Sequence, residues 1–114
     1  MQTIILIRAD KEQFDESATH AFLASIANTS GFRGSATAAF ECRYTASGDE
    51  TIVRLSSDLK RISIDGLGIA GLTMVWQLRH HLPPLRVFDS SYSFDIFLHD
   101  IKSYEQLVAR ILSK

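Results

Sequence analysis

Apolar and polar positions alternate along this chain with two periods, and the change from one period to the other marks out the elements. Residues 3–7, Thr-Ile-Ile-Leu-Ile, are a continuous β-branched and leucine run, the pattern of a buried strand. Asp10 stands three residues before Gln13, a capping-box spacing that predicts a helix start. Phe14, Ala18, Ala21, Phe22, Ser25 and Ile26 then recur at helical spacing. Asn28, Gly31 and Gly34 supply stop signals. Residues 36–45 alternate, with Phe40, Cys42 and Tyr44 on one face and Glu41 and Arg43 on the other. Ser47-Gly48-Asp49 predicts a hairpin turn, residues 51–55 its returning strand, and residues 61–65 a further short strand.

A glycine-rich stretch at 66–71 opens a second predicted helix, which runs to about His81 and stops before Pro83-Pro84. Residues 85–88 and 92–98 read as two strands around a turn at 89–91. Ser103 and Gln106 form a capping box for a last helix, whose stripe is Tyr104, Leu107, Val108, Ile111 and Leu112. The order is β-α-β-β-(β)-α-β-β-α, with no repeat or linker. It predicts one α+β domain over 1–114, a mixed or antiparallel sheet of about five strands with helices packed on it.

Composition narrows the function classes. The chain has 114 residues, 46% of them hydrophobic, with 12 Lys+Arg against 13 Asp+Glu. A net charge of -1 argues against a dedicated nucleic-acid binder, whose affinity comes from a basic face on phosphates. One cysteine, Cys42, rules out an internal disulfide or a thiolate metal cluster. The apolar start ends at Arg8 and Asp10, too early for a signal peptide. The longest apolar stretch, 67–76, is about half a bilayer span. The expected address is therefore cytoplasmic, with no membrane association.

The sharpest motif is Gly66-Leu67-Gly68-Ile69-Ala70-Gly71, a literal G-x-G-x-x-G between a predicted strand and helix, with Asp89 closing the next strand. As a nucleotide site, Gly66, Gly68 and Gly71 would let backbone approach a pyrophosphate at the helix N-terminus, and Asp89 would take a ribose hydroxyl. Against it stand the hairpin before the motif, which is antiparallel, and the charge of Asp65 beside the first glycine. The plainer reading is a tight strand-to-helix turn with close helix–sheet packing.

Other chemistry is thin. His80 and His81 point about 100° apart on a helix and are poorly placed to share a metal, so none is expected. Cys42 reads as a small buried hydrophobe; a base for it would have to come from His20, His80, His81 or His99 in distant segments. No glycine elbow frames a serine. No catalytic constellation or cofactor is expected, and the chain reads as a binding protein rather than an enzyme. Residues 87–100 hold Asp89, Asp95 and Asp100 with no Lys or Arg, interleaved with Tyr92, Phe94 and Phe97. Such a stretch is either a solvated surface with capped turns or an acidic-aromatic patch for a basic protein partner.

The C-terminal half carries a resemblance. In residues 64–111, IDGLGIAGLTMVWQLRHHLPPLRVFDSSYSFDIFLHDIKSYEQLVARI, a strand ends in a glycine turn and a helix follows. Then come Leu-Arg-Val-Phe-Asp, a Tyr-Ser-Phe-Asp strand and a capped helix. This block resembles small bacterial immunity proteins that neutralise the toxins of contact-dependent growth-inhibition systems. The resemblance implies a cytoplasmic, non-enzymatic protein; the chain itself is expected to be a monomer or, through an unpaired strand edge, a weak homodimer. Its partner would be a cognate toxin domain, often a nuclease, whose active site it occludes. The family supplies no motif that fixes contact residues, so Asp89, Tyr92, Phe94, Asp95 and Asp100 stand as partner-binding candidates on charge and aromaticity alone.

Overall fold

The computed structural model describes residues 3–112. Among them the elements run β1 (Thr3–Arg8), α1 (Glu16–Ser25), β2 (Thr29–Arg33), β3 (Ala38–Ala46), β4 (Asp49–Ser56), β5 (Ile62–Asp65), α2 (Ile69–His81), β6 (Leu85–Asp89), β7 (Asp95–Phe97), a 3-10 turn (Leu98–Asp100) and α3 (Tyr104–Leu112). The strands form one sheet in the order β2-β3-β4-β5-β1-β6-β7. Every neighbouring pair is antiparallel. The α+β class holds, but the sheet has seven strands instead of about five and no parallel pair.

The period-two pattern explains the sheet. Phe40, Cys42 and Tyr44 of β3, Val53 and Leu55 of β4, Ile62 and Ile64 of β5, Ile4 and Leu6 of β1 and Leu85 and Val87 of β6 all point to one buried face. Leu23 of α1, Met74, Val75 and Leu78 of α2 and Leu107 and Ile111 of α3 complete the same core. The helical apolar stripes thus cover one face of the sheet and leave the other bare. Burying any one of these large side chains is worth roughly 1.5–3 kcal/mol.

Local departures from the pattern have physical causes. Residues 29–33, which read as a helix stop, pair with β3 as an edge strand; Gly31 at φ +69° gives that edge its bend. The first helix begins not after Asp10 but at Glu16, because Asp15 is the residue whose side chain accepts the Ala18 N–H, at 2.7 Å. Asp10 instead pairs with Arg8. Of the predicted strand 92–98 only 95–97 is extended, since the turn after Asp89 takes up residues 90–94. Leu112, counted in the last helix's apolar stripe, is 49% exposed. The two-residue loop Ser47-Gly48 has positive φ at both positions, 50° and 78°, the hairpin geometry that Gly at the second position favours.

The connections are the key to the shape. β5 and β6 lie on either side of β1 and run parallel to each other, joined through α2, in a split β-α-β arrangement. β1 reaches the far edge at β2 through α1 in the same manner.

Candidate functional site

The residues singled out in 87–100 come together at one corner of the sheet, and their roles divide. Asp89, the last residue of β6, is fully buried. It is therefore not a partner contact, which corrects the charge reading. Its carboxylate accepts the Ser93 N–H at 2.6 Å, the Ser91 hydroxyl at 3.0 Å and the Ser93 hydroxyl. Burial pushes this carboxyl up. The hydrogen bonds from Ser93, Ser91 and the Phe94 backbone outweigh that and hold it below the usual carboxylate range. The Ser90 N–H donates to Thr3 O and the Tyr92 N–H to Asp89 O, both at 3.0 Å. The turn is thus tied to β1 and to itself.

What this turn presents is Tyr92. Its backbone sits at φ +56°, a left-handed conformation uncommon for a bulky residue, and its side chain is 75% exposed. The ring stacks on Phe88 with centroids 5.5 Å apart and planes 2° from parallel. Phe97, 43% exposed, lies two strands from β1 on the same bare face as Phe88. Phe94 packs partly buried against the core and anchors the turn from beneath. Asp95 is exposed but forms an ion pair with Arg86 across the β6–β7 pair. Asp100 is exposed at the end of the 3-10 turn, whose carbonyls at Leu98 and His99 accept from Arg79 of α2 at 3.3 and 3.2 Å. The acidic patch expected from the sequence is therefore one buried carboxylate, one neutralised and one free. The aromatic part of the expectation is the part on display.

The glycine segment is built differently from a phosphate cradle. The N-terminus of α2 already holds a carboxylate: Ala70 N–H donates to Asp49 Oδ2 at 3.0 Å. A Cβ on Gly68, the helix cap residue, would run into that same carboxylate. A Cβ on Gly71 would meet Gly66 O at 2.8 Å and Ile64 Cγ2 at 3.3 Å, so this glycine serves close helix–sheet packing. Gly66 has φ +81° at the turn. Asp89 lies at the end of β6 with its carboxylate spent on the serine turn, not offered to a ribose. The position an incoming phosphate would take is filled from within the chain.

The remaining candidates are structural. Cys42 is buried, and burial followed by the Glu41 charge pushes its thiol up to about 11, away from nucleophilic use. His81 stacks on Phe22, His20 packs against Phe32 and Phe40, and His80 Nδ1 donates to Trp76 O at 2.9 Å. Among the described residues no group of three or more His, Cys, Asp or Glu side chains has metal-holding geometry. No helix among them is long and apolar enough to cross a membrane.

Two features escaped the sequence. The continuous run in β1 reads as buried on both sides, yet Ile5 and Ile7 face the side of the sheet that carries no helix and are only half-buried. Asp49, read only as a hairpin residue, caps a helix 21 positions away. Comparison with family models, with curated proteins and with solved structures gives no match.

Proposed function

We propose that this chain is a partner-binding protein of the immunity type. It would capture a cognate toxin domain in the cytoplasm and block its active site, with no chemistry of its own. The observation that carries this reading is Tyr92: an exposed aromatic ring held at left-handed φ by a carboxylate-centred turn and backed by a parallel Phe88 ring. Strained, over-determined backbone of this kind concentrates at binding sites. A ring whose position is fixed before binding loses little entropy when it docks, and Tyr is enriched among the residues that dominate interface energies. Phe97 and Phe88 extend the apolar anchor, and Asp95 and Asp100 give its rim a polar edge.

The resemblance of residues 64–111 to immunity proteins supports the same reading, as does the filled N-terminus of α2, which leaves the nucleotide alternative without a phosphate position. The test begins with capture of partners by the tagged full chain from its source cells. The captured domain, expressed alone in a bacterial host, should arrest growth, and co-expression of this chain should restore it. Growth that is equally poor with and without this chain would end the proposal.

A further inference from the structure

The arginines of the sheet strands are paired: Arg8 with Asp10, Arg33 with Glu41, Arg43 with Glu50, Arg54 with Glu41 and Asp65, and Arg86 with Asp95. Where the chain enters β5 the pattern breaks. Lys11, Lys60 and Arg61 form no ion pair among the described residues. All three line one hollow of about 330 Å³, floored by Ile7. Among the described residues that line it, the only carboxylate is Asp58. Its Oδ1 accepts the Ser56 hydroxyl at 2.6 Å and the Lys60 N–H at 3.0 Å. The lining therefore carries three positive charges against one negative, a balance of two positive.

Two loops bring these cations together and hold them there. Lys11 follows β1, while Lys60 and Arg61 precede β5, its neighbour in the sheet. The Phe14 N–H donates to Leu59 O at 2.7 Å and Gln13 Nε2 to Asp58 O at 2.9 Å, so each loop fixes the other. Lys11 and Leu59 both sit at φ +64°, a conformation uncommon outside glycine that the cross-links sustain. Three like charges around one hollow repel one another, and the apolar floor focuses their field into it. The chain supplies no group that offsets them fully.

We infer that this hollow binds a phosphate dianion, free or as the end group of a phosphomonoester. Lysine meets phosphate as a point charge and arginine grips two of its oxygens at once. A balance of two positive matches a dianion and favours it over chloride. The volume is at the lower end of small-molecule sites and suits one such group. A nucleic acid would need the basic surface to continue, but Arg54 and Arg86 to either side are already paired. Arg61 also walls an adjoining hollow of about 240 Å³, which carries the hydroxyls of Thr3, Thr37 and Ser63 and can take the hydroxylated body of an ester. The site lies at the opposite end of β5 from the Gly66 turn, and it stands without the toxin reading.

A heteronuclear NMR titration of the full chain tests it, with inorganic phosphate in one arm and glucose 6-phosphate in the other, against sodium chloride at matched ionic strength. Saturable amide shifts confined to residues 7–11 and 56–63 are expected in at least one arm, with a Kd of about 1 mM or tighter. Arg61→Gln, Lys60→Gln and Lys11→Gln should each weaken binding about fivefold or more. All three side chains are exposed, so the rest of the spectrum should keep the native fold. Lys102→Gln, exposed beside α3, should leave the affinity unchanged. Tighter binding of the ester would support the adjoining hollow as part of the site, and equal binding would support inorganic phosphate as the ligand. Shifts that fail to appear by about 10 mM of either anion overturn the inference. So does binding that survives all three substitutions, or that Lys102→Gln weakens as much as they do, which would mark diffuse attraction to positive surface.

Discussion

Asp89 shows how far a residue's chemistry can be read before its surroundings are known. Its side chain could be assigned to a ribose, to a basic partner or to a turn, and the sequence alone favours none of these. The buried geometry selects the turn, because two serine hydroxyls and a backbone N–H converge on it. A carboxyl held below its ordinary value stabilises the fold above the unfolded-state value, and that contribution is lost as pH falls through the lower folded value. Asp89→Asn should therefore cost stability at neutral pH, roughly 2 kcal/mol as its hydrogen bonds weaken. It should also make the acid limb of a pH–stability curve shallower; urea melts from pH 2 to 7 measure both. Cys42 gives a second check. With its thiol pushed up to about 11 and buried, it should react with a disulfide reagent only on unfolding, and rapid labelling of the native protein would contradict the packing described.

At the scale of elements, the strength of the sequence signal follows its period and length. The alternation in β3 and β4 and the Ser103–Gln106 cap of α3 are legible because local chemistry and tertiary packing agree; the Gln106 N–H does donate to Ser103 Oγ, at 3.1 Å. β2 is not legible, because Thr29–Arg33 holds only one large apolar residue and owes its extension to pairing with β3. The glycine motif is legible as a turn and misleading as a ligand site. What distinguishes the two is Asp49, distant in sequence and placed by the hairpin. Two substitutions follow from that arrangement. Gly71→Ala should destabilise by about 1–3 kcal/mol, since its methyl would press on the Gly66 carbonyl. Asp49→Ala should cost about 1 kcal/mol through the lost cap of α2. Thermal melts of the two variants check both values. A Gly71→Ala protein as stable as the wild type would remove close packing as the reason for that glycine.

For the whole molecule, the decisive feature is that α1, α2 and α3 share one face of the sheet while the other keeps its isoleucines, phenylalanines and paired charges in the open. The sequence supplied the aromatic residues at 88–97 but not their placement, because which strand faces which depends on the crossover connections, and no local pattern encodes those. Here the features that converge are a rigid turn and an exposed ring, which is what a binding surface needs. The most direct test of that reading is the affinity of the captured toxin domain for the wild-type chain and for Tyr92→Ala, by isothermal titration. Tyr92 is exposed, so its removal should leave the fold intact by circular dichroism. An anchor of this type is worth about 2 kcal/mol or more, so the variant should bind roughly 30-fold more weakly or worse. Equal affinity for the two proteins would contradict the account and move the interface away from this corner of the sheet.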